Sequence, residues 1–274
     1  MSAITRSSRG TPWTYRSLIW NFAQRDLKAR FRGTVLGWLW SLMLPLATVI
    51  IYTVVFSVVF RTTPPPLGNG DPGVYAVWLL VGMVTYSFFS VGVLQAMGAL
   101  LGAGTLLQKI YIPSYVPVIG ASIASSIQTL IEYAILAAIL IFLGNVGFTW
   151  LLFPFILAIF FVFIVALGLT LAILNVYARD LQQIVGVVIQ LLFFVSPILY
   201  PTAQIPEEWK GIPVRMIMQI NPVAEFINAF RNALYDLTVP SLSQWAAMLA
   251  WTVGAVLLAI WVYRRKGQDI GEAM

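Results

Sequence analysis

The sequence predicts an all-α integral membrane protein with six transmembrane helices, an N-terminal amphipathic interfacial helix, and re-entrant or interfacial helices between spans five and six. Three observations carry that reading. The chain is 60% hydrophobic and only 9% charged, whereas soluble domains run near ~25% charged, so it lacks the charge to cover a water-facing surface. Six apolar stretches, almost free of charge, match or approach the length that crosses ~30 Å of hydrocarbon at ~1.5 Å per residue. Helices follow because lipid satisfies no backbone polar group, and the short alternating segments of a barrel are not what the sequence offers.

Taken in order, the whole chain (1–274) reads as a single transmembrane domain. Residues 13–33 suit a helix lying in the membrane interface. At ~100° per residue, Tyr15, Leu18, Ile19 and Phe22 share one face, Arg25, Lys28 and Arg32 another, and Trp20, Leu27 and Phe31 a third. With Arg30, these cations meet anionic headgroups at about 1 kcal/mol each. They either enforce topology alone or also frame a gate or docking surface. The first span, 35–60, begins with Trp38 and Trp40 at belt depth, as Trp245 and Trp261 flank the last. The stretch 61–73, "RTTPPPLGNGDPG", is a turn-filled external loop, and the second span covers 74–101.

In "LGAGTLLQKIYIPSYVPVIG" (101–120), Gly102 and Gly104 break the preceding helix. Thr105, Leu106, Leu107, Gln108, Lys109, Ile110 and Tyr111 then form a short helix that Pro113 and Pro117 end. A short helix across the membrane mouth is an element that another subunit can push. The third span, 118–143, is interrupted by Glu132, with Gln128 one turn earlier on the same face. An acid at mid-bilayer costs on the order of 2.5–3.5 kcal/mol, so it faces protein or water. Glu132 either bonds a passing substrate, pairs across a subunit interface or stays protonated, and a structural or interface role is favoured. After the minimal link "GNVG", the fourth span covers 148–177 and carries Pro154 near its start. The fifth, 184–200, is short and ends at Pro197 and Pro201. In the external segment 201–244, Asn221-Pro222 starts a helix with Val223, Phe226, Ile227, Phe230 and Leu234 at helical spacing. Spacing leaves open whether that helix lies on the outer interface or dips back among the spans. The sixth span is 245–263.

Charge fixes orientation and excludes several functions. Seven Lys and Arg precede residue 35; Lys109, Arg179 and three at 264–266 bring the same side to twelve, against four opposite. The excess places both termini in the cytoplasm. The net charge of +6 is flanking charge rather than a groove, so no nucleic-acid partner follows. With no Cys and no His, disulfides, thiolate metal sites and Cys/His nucleophilic catalysis are excluded. The first apolar run is too long for a signal peptide. No lysine follows a glycine, so no phosphate-cradling Gly-Lys loop exists.

Four stretches carry a resemblance: "RDLKARFRGTVLGWLWSLMLP" (25–45), "LLQKIYIPSYVPV" (106–118), "ARDLQQIVGVVIQLLFFVSPILYP" (178–201) and "NPVAEFINAFRNALY" (221–235). Over nearly the whole length the chain resembles permease subunits of type-2 ABC exporters, in the branch that exports polysaccharides. One departure is "PSYVPV", where relatives carry a charged residue after the proline. The resemblance implies a homodimer, two copies of a separate cytoplasmic ATPase that holds ATP and Mg, and no cofactor or catalytic residue in this chain. It implies ATPase coupling through 105–111, and entry near Arg25, Lys28, Arg30 and Arg32 of a lipid-linked O-antigen, galactan or teichoic-acid type of polymer. The location implied is the bacterial cytoplasmic membrane. Tyr52, Phe56, Tyr86, Phe89, Glu132, Phe193 and Phe194 are the candidates for the translocation path, since aromatic faces stack on sugar C–H surfaces. A drug or small-lipid exporter is the alternative. An ion-coupled carrier or a membrane-embedded enzyme is opposed by the poverty of buried charge.

Overall fold

The computed structural model describes residues 15–31, 39–59, 61, 63–107, 112–201, 205–208, 210–211 and 214–267. Arg32 and residues 108–111 fall outside them, as do the side chains of Arg30, Thr105 and Leu107. Every regular element among the described residues is helical. Helix α1 (Arg16–Phe31) precedes α2 (Leu39–Thr53), which continues as a π-helical turn (Val54–Val59). Then come α3 (Tyr75–Gly102), the single turn α4 (Gly104–Leu107) and α5 (Tyr115–Phe142). A 3-10 turn (Phe148–Leu152) leads into α6 (Phe153–Tyr177), followed by α7 (Leu181–Val195), α8 (Val214–Ile220), α9 (Pro222–Leu234) and α10 (Leu242–Lys266). Among the described residues, four stretches are long and apolar enough to cross a membrane: Tyr75–Gly102, Tyr115–Phe142, Phe148–Tyr177 and Leu242–Lys266. The apolar helices 46–59 and 181–195 are shorter.

The fifth apolar stretch does not stay helical to Tyr200. It stops at Val195, and Ser196 turns to φ −83°, ψ 143°. Pro197 is the cause: its ring keeps the preceding residue out of the helical region, and it has no N–H to donate backwards.

Helix α3 is the axis of the bundle, packed against α2, α5, α6, α7 and α9. Its side chains are buried nearly all round, from Leu79 and Val81 to Phe88 and Leu100. Small residues set the closest crossings. A Cβ at Gly92 would stand 2.9 Å from Ile164, and one at Gly168 would overlap Ala96. In lipid, where apolar burial does not drive helices together, such close approach supplies the dispersion contact that does.

Helix α9 lies inside the bundle, against α3, α6 and α10. The five apolar positions that share its sequence-derived face are all buried, with Phe226, Ile227 and Phe230 at 0% exposure. A helix placed there needs partners for its end groups, and it has them. Asn221 caps the start, its Oδ1 accepting from Val223 N–H at 3.0 Å, while Pro222 has no N–H to satisfy. At the other end the Arg231 carbonyl accepts from the Tyr235 and Asp236 amides, and that of Asn232 from the Thr238 amide. The Ala233 carbonyl accepts from Thr149 Oγ1 at 2.7 Å and that of Leu234 from Asn145 Nδ2 at 3.0 Å. Asn145 also donates to the Tyr235 carbonyl at 2.9 Å and accepts from Asn69 N–H at 3.1 Å. Tyr235 OH closes the clamp, donating to the Pro65 carbonyl and accepting from Val74 N–H. The loops after α2, α5 and α9 are thereby tied into one polar cluster, called here the loop end. Its Asp236 carboxyl is pushed up to about 6, by burial first, with the Arg231 charge opposing.

Candidate functional site

Opposite the loop end is a basic end, carrying α1, α4 and the last turn of α10. Helix α1 packs across α5, with Ile19 and Phe22 buried beneath it and Tyr15 and Leu18 at the margin. Gly120 makes the contact possible, because a Cβ there would come within 2.6 Å of Phe22 Cβ. Tyr115, at the start of α5, has its ring 6.4 Å from Tyr15 and 6.1 Å from Tyr263. Ser114 Oγ donates to the Gly267 carbonyl at 3.4 Å. The residues that follow the 104–111 segment therefore touch both α1 and α10.

A cavity of about 400 Å³ opens between α1 and the bundle, lined by Arg25, Asp26 and Leu27 on one side and Gln95, Gly98 and Ala124 on the other. The absence of side chains at Gly98 and Gly102 leaves the room, since nothing lies within 4 Å of a Cβ at either. Arg25 sits at this cavity but is not a bare cation. Its Nη2 lies 3.0 Å from Asp26 Oδ1, and the guanidinium rests 4.8 Å from the Phe22 ring centre. Lys28 is exposed. Such exposed pairs contribute little to stability, so Asp26 mainly lowers the local field that counting cations suggested.

The aromatic residues picked from the sequence converge in part. Phe193 is the hub, 6.3 Å from Tyr52, 5.3 Å from Tyr86 and 5.3 Å from Phe194 between ring centres. Tyr52 meets Phe56 at 6.4 Å, and Phe56 stacks on Tyr75 at 6.0 Å. Phe194 is 58% exposed, and Tyr52, Phe56 and Phe193 are half-buried. Tyr86 and Phe89 lie deeper, within the core; Phe89 stacks on Phe160 and Phe163. The reason is the position of α3, surrounded by neighbours, so its aromatics form a wall behind the surface ones. Glu132 is 5% exposed and accepts a hydrogen bond from Gln128 Nε2 at 3.0 Å. Among the described residues no cluster of His, Cys, Asp or Glu could hold a metal ion.

Sequence reasoning missed Tyr75, which stacks on Phe56 and donates to the Leu199 carbonyl at 2.6 Å. Its signal was available: it stands three residues before Trp78, on the same helical face.

Similarity to known proteins bears on this arrangement. Residues 17–235 match the family described as ABC-2 type transporter. The chain is 27% identical over 267 residues to the O-antigen export system permease protein RfbA of Myxococcus xanthus, covering 96% of this chain and 97% of that one. It is 25% identical to a protein of the same name from Klebsiella pneumoniae, over 78% of this chain and 79% of the other. The polysialic acid transport protein KpsM of Escherichia coli is 21% identical over 77% and 78%. With most of its helices inside the matched region, this multi-pass, all-helical chain belongs to the ABC-2 type transporter family.

Proposed function

We propose that the chain is the transmembrane subunit of an ATP-driven exporter that passes a lipid-linked polysaccharide across the bacterial cytoplasmic membrane. The observation that carries this is the end-to-end alignment with the Myxococcus O-antigen export permease, 96% of this chain against 97% of that one. ATP hydrolysis belongs to a separate ATPase, two copies of which bind a dimer of this chain, because no lysine here follows a glycine in a phosphate loop. Six spans result when the shorter helices are included. Helix α2 with its π-helical turn counts 15 and 6 residues, which at ~1.5 Å each reaches ~30 Å. Helix α7 is completed by the buried segment 196–199. Both termini face the cytoplasm on the excess of Lys and Arg there, and α8 and α9 form a re-entrant pair on the outer side.

Residues 105–111 take the push from the ATPase, and Tyr115 passes it to α1 and α10. Arg25, Lys28, Arg30 and Arg32 receive the phosphate-bearing end of the substrate beside the 400 Å³ cavity. Tyr52, Phe56, Phe193 and Phe194 offer ring faces to the sugars, with Tyr86 and Phe89 behind them. Glu132 holds structure through Gln128. Helix α7 buries only Ile189, leaving an apolar face for a second copy or for lipid. Depletion of the protein should make a lipid-linked glycan accumulate on the cytoplasmic side. Depletion that left every lipid-linked glycan at its normal level would overturn the reading.

A further inference from the structure

Residues 196–199 are non-helical yet buried, with Ser196 and Ile198 at 0% exposure and Leu199 at 7%. Irregular backbone at membrane depth persists only where protein supplies its hydrogen bonds. Here three side-chain donors do so, and a fourth braces the Ser196 side chain. Asn221 Nδ2 donates to Ser196 Oγ at 2.8 Å, and Tyr75 OH donates to the Leu199 carbonyl at 2.6 Å. Arg231 serves the two carbonyls between: Nη1 donates to that of Pro197 and Nη2 to that of Ile198 at 2.9 Å.

The surroundings of Arg231 are shaped to its guanidinium. The residue is 4% exposed, and its Cζ lies 3.5 Å from the Trp78 ring centre. A Cβ at Gly82 would stand 2.6 Å from Nη2, so α3 leaves out a side chain where the fork passes. Among the described residues no carboxylate lies within ion-pair distance of it. A buried cation is costly, and the Asp236 charge acts on this one only from beyond ion-pair distance, so the cost falls mainly on well-formed hydrogen bonds. Two carbonyls from consecutive residues suit a rigid planar fork; a lysine ammonium on a flexible stem offers a point charge instead.

Helix α7 has little else to fix it. Ile189 is its single buried residue, and Tyr86 OH donates to the carbonyl of that same residue. Phe193 and Phe194 occupy its last turn, immediately before the segment that Arg231 holds.

We infer that Arg231 is a positioning residue: through the Pro197 and Ile198 carbonyls it sets where the end of α7, with Phe193 and Phe194, stands against α3. The transport consequence rests on the export reading above, but the placement of α7 does not. The test is hydrogen exchange on the full chain assembled with its ATPase, following the amides of residues 192–200 in the parent, R231K, G82A and W78F. In R231K, exchange in this stretch should rise about ten-fold, equivalent to ~1.4 kcal/mol, with α6 and α10 unchanged. G82A keeps the charge but crowds Nη2, and should shift the same stretch in the same direction. W78F keeps a ring face and should resemble the parent. Maximal glycan transport should fall in R231K and G82A with the half-saturating concentration unchanged. Parent-like exchange in both R231K and G82A would overturn the inference, as would an equal rise in α6 and α10, which marks general loosening. Should R231K fail to assemble, G82A decides by the same criteria. Absence of transport by the parent protein speaks against the export reading alone, since exchange needs no substrate.

Discussion

Asn145 is the residue whose replacement most sharply tests how α9 is held inside the bundle. It is fully buried in the short link between α5 and α6 and serves three backbone groups. Nδ2 donates to the Leu234 carbonyl at 3.0 Å and the Tyr235 carbonyl at 2.9 Å, while Oδ1 accepts from Asn69 N–H at 3.1 Å. Aspartate matches the shape and keeps the acceptor, but brings an oxygen against two carbonyl oxygens. Each buried polar group left without a partner costs about 1–3 kcal/mol; the Leu234 carbonyl is left so, whereas that of Tyr235 keeps the Gly68 N–H at 3.0 Å, so N145D should lose about 2 kcal/mol once the repulsion of the new oxygen by both carbonyls is added. Reversible unfolding in mixed micelles, followed by tryptophan emission, measures this. A space-filling role for Asn145 predicts that the isosteric change is nearly neutral. Stability of N145D within ~0.5 kcal/mol of the parent would refute the capping argument and, with it, the account of why α9 tolerates burial.

Asp236 gives a pH dependence at the same end of the molecule. Burial raises its carboxyl to about 6 in the fold, above the ~3.9 of an unfolded chain. Its contribution to stability is therefore full below pH ~4 and lost as pH rises through about 6. D236N should flatten the unfolding free energy across that window; an unchanged slope would remove Asp236 as its source. At the basic end, G120V should lift α1 from α5, because even a Cβ comes within 2.6 Å of Phe22 Cβ and overpacking costs about 1–3 kcal/mol. Trypsin should then cleave faster at Arg25 and Lys28 in reconstituted protein. Cleavage at the parent rate would mean that α1 is not held through this contact.

What the sequence made legible was local. Uncharged length marked the long helices, and proline and glycine marked their ends, as at Gly102 and Pro197. The Asn221-Pro222 start and the five-residue apolar face of α9 were readable by period, and both stand as observed. The side on which that face is buried was not readable, because burial of α9 depends on Asn145 and Thr149, 89 and 84 residues earlier in the chain. Nothing in "GNVG" distinguishes a helix cap from an ordinary turn.

Arg25 and Arg231 fail in opposite senses, and the contrast shows what charge counting measures. Counting Lys and Arg treats each as a free charge near a boundary, which is adequate for orientation because insertion sums over segments. It carries no information about individual partners. Arg25 enters the count as one of seven N-terminal cations, yet Asp26 lies 3.0 Å away and neutralises it. Arg231 enters as one of four external charges, yet it is 4% exposed and commits Nη1 and Nη2 to backbone carbonyls. The burial was open to suspicion from the sequence, since Ile227 and Leu234, four residues before and three after, neighbour Arg231 on its helical face. Identifying its partner required the break at Pro197, 34 residues away. The proline that ends α7 and the arginine on the α9 face are thus a single feature: the break frees carbonyls, and the arginine takes them.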